Sequence, residues 1–145
     1  MKSIVVLHGP NLNLLGHREP QIYGNMRLTE INQQLCSHAE KLGYRCACYQ
    51  TNAEHLFINH IHNAYENQID GMLINAGAFT HTSIAIRDAL ICCAIPFIEV
   101  HLSNLAKRES FRHNSYLADI AVGSIMGFKA QSYHLALLAM HDYLE

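Results

Sequence analysis

Four short segments hold the residue types that could do chemistry. The first is Gly16-His17-Arg18-Glu19-Pro20-Gln21-Ile22-Tyr23-Gly24. It sets an arginine and a tyrosine five positions apart, between glycines able to act as hinges of a lid. A free phenol has a pKa near ~10 and is a poor base at neutral pH. A nearby guanidinium favours the phenolate. Bringing the phenol down by about three units requires roughly 4 kcal/mol, more than one solvated arginine supplies. A base at Tyr23 therefore needs a closed, partly desolvated loop. The plain alternative is a surface loop with a packed tyrosine and a solvated arginine.

The second segment, Phe97-Ile98-Glu99-Val100-His101-Leu102-Ser103-Asn104, alternates in the manner of a strand, which sets Glu99 and His101 on one face. A carboxylate beside an imidazole can orient it and raise its pKa, as a general acid needs. A structural hydrogen-bonded pair is the equal alternative. In the third, Asn75-Ala76-Gly77-Ala78-Phe79-Thr80-His81-Thr82-Ser83, Thr80, Thr82 or Ser83 can cap a helix. The N–H groups exposed at that helix end suit a carboxylate or hydroxyl-rich ligand. The fourth, Lys107-Arg108-Glu109-Ser110-Phe111-Arg112-His113, brings cations that suit an anion or a solvated turn. Arg87-Asp88 interrupts an apolar run, either as a solvent-facing pair or as a contact with a neighbouring subunit.

Other chemistries fit poorly. Eleven histidines in 145 residues invite a metal. However, His60 and His62 are two apart on a helical pattern and point to different faces, and neither an HExxH motif nor a clustered Cys/His spacing occurs. The sequence has no GxGxxG, P-loop or GxSxG, and the four lysines sit at the terminus or in polar segments. Acid–base chemistry on a small polar anion, with no metal and no cofactor, is the expectation. A net charge of −2 argues against nucleic acid. No apolar run approaches the ~20 residues of a membrane span. Met1 to Leu7 fits a buried strand better than a leader. Cys36, Cys46, Cys48, Cys92 and Cys93 lie in apolar periodic segments without CxxC, and read as reduced core thiols of a cytoplasmic protein.

These segments need a frame. Ser3–His8, Tyr44–Gln50, Gly71–Asn75, Phe97–His101 and a stretch near Ile120–Ile125 read as strands. Between them run helical stripes. One is Leu28, Ile31, Leu35, Ala39 and Leu42, with Thr29 as cap and Gly43 as stop. The next is Phe57, Ile61, Ala64 and Tyr65, then Thr82 to Cys93. The last is Tyr133, Ala136, Leu137, Met140, Tyr143 and Leu144. Alternating strands and helices predict one α/β domain over 1–145, a three-layer flavodoxin-like sandwich with parallel strand order 2-1-3-4-5. In such sheets ligands bind beyond the carboxyl ends of the strands, where Asn11, Asn75 and His101 converge. A charged fraction of 15% is low for one domain and predicts surface covered by other subunits.

Taken together, the motifs carry a resemblance. They are His8-Gly9-Pro10-Asn11-Leu12-Asn13-Leu14-Leu15-Gly16, Arg18-Glu19-Pro20 with Tyr23-Gly24, Ile74 to Ser83, Arg87-Asp88-Ala89, Ile98 to Asn104, and Phe111-Arg112-His113-Asn114-Ser115-Tyr116. In this order they resemble the type II 3-dehydroquinate dehydratases of the shikimate pathway, with Ala76 where relatives often carry proline. The resemblance implies that Tyr23 takes a proton from C2 of 3-dehydroquinate and an enolate forms. His101 then protonates the departing hydroxyl, an anti elimination that gives 3-dehydroshikimate. It further implies that Arg18 stabilises the developing charge, Asn11 and Asn75 position substrate and a water, and Glu99 orients His101. His81, the Leu102–Ser103 backbone and Arg112 would hold the carboxylate and hydroxyls. Asp88 would serve a neighbouring site, making a trimer the functional unit and a homododecamer the assembly. The contrasting reading is an inactive flavodoxin-like module that binds a small carboxylate and oligomerises.

Overall fold

A computed structural model describes residues 1–17 and 19–145 of the chain. Five parallel strands form one sheet in the order β2-β1-β3-β4-β5, where β1 is Ser3–His8, β2 Arg45–Gln50, β3 Gly71–Asn75, β4 Phe97–His101 and β5 Gly123–Met126. A one-turn helix α1 (Pro20–Tyr23) precedes α2 (Leu28–Lys41), α3 (Glu54–Glu66), α4 (Ile84–Cys93) and α5 (Gln131–Leu144). The expected order and fold class are the ones found.

Strands β1, β3 and β4 are buried along almost their whole length, as continuous apolar runs flanked by helices on both faces should be. On one face Ile4, Val6, Leu73, Ile98 and Val100 pack with Ile31, Leu35, Tyr133, Leu137 and Met140 of α2 and α5. On the other, Val5, Leu7, Met72, Ile74 and Phe97 pack with Phe57 and Ile61 of α3 and Ile86 and Leu90 of α4. Among the described residues no helix is long and apolar enough to cross a membrane.

Local details differ from the pattern. Thr29 does not cap α2. The cap position falls two residues earlier, at Arg27, with Leu28 the first helical residue, and Glu30 Oε1 accepts the Arg27 N–H at 3.3 Å, so Thr29 lies inside the first turn. Ser83 is the cap of α4, its hydroxyl accepting from the Ile86 N–H at 3.0 Å. Tyr65 and Tyr143 leave their stripes and are 60% and 57% exposed, each carrying its phenol into water. The last strand starts at Gly123, not Ile120, because Ile120 and Ala121 first close a turn on Leu117. The cysteines are free, and the core placement holds in part: Cys46, Cys48 and Cys93 pack half-buried against the core, Cys36 is half-buried, and Cys92 is exposed.

Candidate active site

The carboxyl ends of β1, β3 and β4 form one edge. In register, His8 lies beside Asn75 and Ile74 beside Glu99. The crossing is tight at Gly9, where an added Cβ would sit 2.2 Å from the Ala76 carbonyl oxygen, so only glycine fits. After β3 the chain makes one turn of 3-10 helix over Gly77–His81, entered at Gly77 with φ +57°. After β4 it makes two more, Leu105–Lys107 and Ser110–Arg112. Together with α1 these turns enclose a cavity of about 210 Å³ beyond the sheet edge.

Asn11, Tyr23, Asn75, His81, His101, Leu102, Ser103 and Arg112 all line that cavity. Glu99 lies behind His101, 1% exposed. Asp88 is exposed on α4 and takes no part in the cavity wall. Arg18 falls outside the described residues. A larger hollow of about 830 Å³ lies behind, lined by Glu99, Arg87, Asp119 and the Arg112–Tyr116 turn. Its Arg87 guanidinium already bonds Asp119 (Nη2–Oδ2 3.0 Å) and the Tyr116 carbonyl (2.8 Å), so the groups poised for proton transfer gather at the smaller cavity.

At one wall, β4 alternation puts Glu99 and His101 on the same face, and His101 Nε2 donates to Glu99 Oε2 at 2.8 Å. Ser115 and Ser124 hydroxyls donate to the same carboxylate at 2.7 and 2.8 Å. Burial pushes the Glu99 carboxyl up, but the hydrogen bond and charge of His101 together with both serines hold it below the ordinary carboxylate range. The buried carboxylate is thus charged and fully satisfied. It fixes the His101 tautomer, and no hydrogen bond among the described residues engages His101 Nδ1. The His81 ring stacks 6.5 Å from that of His101. Its Nδ1 donates to the Asn114 carbonyl at 2.9 Å, leaving Nε2 as an acceptor. Burial lowers the His81 pKa, which keeps it neutral.

At another wall, Tyr23 is 8% exposed and its phenol oxygen accepts from Arg108 Nη1 at 2.8 Å. The guanidinium carbon sits 5.3 Å from the ring centroid, and the same Nη1 donates to Ser103 Oγ at 3.2 Å. A guanidinium held on a half-enclosed phenol oxygen stabilises negative charge there. Sequence reasoning placed Arg108 in a cationic segment without assigning it to the tyrosine. The signal was its position after the His101 strand, but the pairing spans 85 residues and no local spacing shows it. Arg112 lines the cavity braced by Glu109, 3.2 Å from Nε to Oε2.

A third group lies beneath the cavity floor. The Gly77 N–H can only donate, and it donates to Asn75 Oδ1 at 3.2 Å. Asn75 Nδ2 therefore donates to Tyr133 Oη at 3.0 Å, and the phenol proton must go to His8 Nδ1 at 2.6 Å. His8 Nε2 then carries the ring proton and donates to Asn32 Oδ1 at 2.8 Å. One backbone N–H thus sets the polarity of the chain Asn75–Tyr133–His8–Asn32. The second Asn75 Nδ2 hydrogen is left for a ligand. Burial lowers the His8 pKa to about 4 and raises that of Tyr133 above the normal phenol range, so both are neutral. His8, Tyr133 and Asn32 were not foreseen as a group. Their only sequence signal was a histidine ending an apolar strand.

The profile of the family described as Dehydroquinase class II matches residues 2–141. A 3-dehydroquinate dehydratase from Legionella pneumophila (strain Corby) is 59% identical over 140 residues, covering 97% of each chain. One from Haemophilus ducreyi is 58% identical, covering 94% of each. The crystal structure of type II dehydroquinase from Butyrivibrio crossotus superposes with a TM-score of 0.93 at 42% identity, over 97% of each chain. Family profile, near full-length identity and fold agree with the arrangement at the sheet edge, and the chain belongs to the class II dehydroquinase family.

Proposed function

We propose that the chain removes water from 3-dehydroquinate by anti elimination through an enolate, yielding 3-dehydroshikimate. As a class II dehydroquinase it is a hydro-lyase. The observation that carries the reading is one small cavity lined by both an arginine-bonded phenol, Tyr23, and a carboxylate-bonded imidazole, His101. Tyr23, as phenolate, takes the C2 proton, and the C–H electrons move into the ketone to make the enolate. The enolate then collapses, forming the C1–C2 double bond and expelling the C1 hydroxyl, which leaves as water with the proton of His101. Glu99 orients His101 through the Nε2–Oε2 hydrogen bond. Arg108 supports the phenolate, and Arg18 is assigned the same electrostatic role.

Asn75 offers its remaining N–H to substrate or to an ordered water, and Asn11 flanks it at the end of β1. His81, the Leu102–Ser103 backbone and Arg112 receive the carboxylate and hydroxyls. Incubation with substrate deuterated at C2, anti to the leaving hydroxyl, tests the route. Loss of the label to solvent is expected, and product retaining that deuterium overturns it.

The proposed assembly is a trimer that packs further into a homododecamer. Ile84, Asp88 and Ile91 fall at helical spacing on the outer face of α4, and the two isoleucines are 57% and 51% exposed. A carboxylate between exposed apolar side chains, turned away from its own cavity, suits a neighbour's site. Sedimentation should give a multiple of three chains, and an active monomer contradicts the scheme. Five free cysteines fit a cytoplasmic location.

A further inference from the structure

Strand alternation sets Cys46 and Cys48 on the same face of β2, and α2 lies on that face with Cys36 turned toward them. The three sulfurs lie within 4.8 Å of one another. Cys36 Sγ is 3.9 Å from Cys48 Sγ and 3.5 Å from the Cys46 carbonyl oxygen. Among the described residues this is the one group of metal-ligating side chains whose donor atoms converge. None of the three borders the catalytic cavity. All three are half-buried, so the group has an apolar back and an open front.

The spacing matches a coordination shell. Thiolate sulfurs at about 2.3 Å from a tetrahedral metal stand about 3.8 Å apart. The Cys36–Cys48 separation is already there, and the other pairs need at most about 1 Å of closure, within reach of a χ1 adjustment. A set of three soft sulfurs selects soft, thiophilic ions over magnesium or calcium. Their scatter along the sequence, one from a helix and two from an edge strand, is why no CxxC spacing announces them.

We propose that Cys36, Cys46 and Cys48 bind one soft thiophilic metal ion through three thiolates, with its fourth position open to water. Three metal–sulfur bonds form, each displaced thiol proton passes to solvent, and no electron is transferred. The site is separate from the dehydration chemistry.

The probe is cadmium ion, added to the full chain after chelator treatment and under a non-thiol reductant, which keeps disulfides out of the measurement. An ultraviolet thiolate-to-metal charge-transfer band should grow and saturate at one ion per chain. Site-resolved alkylation should show Cys36, Cys46 and Cys48 protected while Cys92 and Cys93 stay reactive. Cys36→Ser, Cys46→Ser and Cys48→Ser should each lose the saturable band, and turnover of 3-dehydroquinate in the same samples reports that they are folded. Should a variant misfold, the wild-type alkylation pattern decides by itself. Absence of the band, or protection not confined to these three thiols, overturns the proposal.

Discussion

Protonating His8 is the perturbation whose cost follows most directly from the structure. Its ring is fully buried, and its Nδ1 must remain an acceptor, because Asn75 already occupies the Tyr133 oxygen and the phenol proton has no other direction. The folded pKa of about 4 lies below the ordinary 6.5. The unfolded chain therefore binds the proton more readily. Stability from this residue is complete above the unfolded pKa, falls as pH drops through that window, and levels off below the folded pKa. At about 1.4 kcal/mol per unit, moving from about pH 7.5 to about pH 4.5 should remove about 2 to 3 kcal/mol. The assay is urea unfolding across that range, at one protein concentration because assembly adds to apparent stability. The reference is His8→Asn, whose Oδ1 can accept from Tyr133 and does not titrate. Taking wild type minus variant cancels the carboxylates common to both. Curves that stay parallel within about 0.5 kcal/mol, or a wild type that gains on the variant in acid, refute the assigned polarity of the chain.

Arg108→Met should lower kcat by about a hundredfold or more, with a smaller effect on KM, as expected when a donor to a reacting oxygen is lost. Steady-state kinetics of that variant test the Arg108–Tyr23 pairing. Glu99→Gln should retain the fold, since glutamine can still meet Ser115 and Ser124, but lose the carboxylate that accepts from His101 Nε2 and orients the ring. Steady-state kinetics should show kcat reduced with a smaller effect on KM, and an unchanged kcat contradicts the role given to Glu99. Ser83→Ala removes the buried cap of α4 and should cost about 1 kcal/mol in urea unfolding. Gly9→Ala should sharply reduce folded yield, because a Cβ 2.2 Å from a carbonyl oxygen forces the β1 and β3 ends apart.

The strands and most helix stripes were legible because burial on both faces leaves continuous apolar runs, and those runs announce β1, β3 and β4. Glu99 and His101 were legible as a pair because a strand alternates with period two. Tyr65 and Tyr143 were misread because an amphipathic tyrosine satisfies an apolar stripe while keeping its hydroxyl in water. Thr29 was misread because Glu30, reaching back to the Arg27 N–H, sets the cap two residues earlier. Contacts that bridge distant segments left no local mark. Arg108 meets Tyr23 across 85 residues, Tyr133 meets His8 across 125, and Cys36 meets two cysteines on a separate strand. Such pairings belong to the topology of the sheet edge, and residue spacing along the chain does not record them.

In the proposed reaction Tyr23 and His101 act together on 3-dehydroquinate within one cavity. The direct measurement is the ultraviolet absorbance of a conjugated enone carboxylate when 3-dehydroquinate is added to the purified chain, wild type beside Tyr23→Phe. A rising signal is expected for wild type and none for the variant, with the variant still binding substrate in a calorimetric titration. No rise with wild type, or an undiminished rise with Tyr23→Phe, would contradict it.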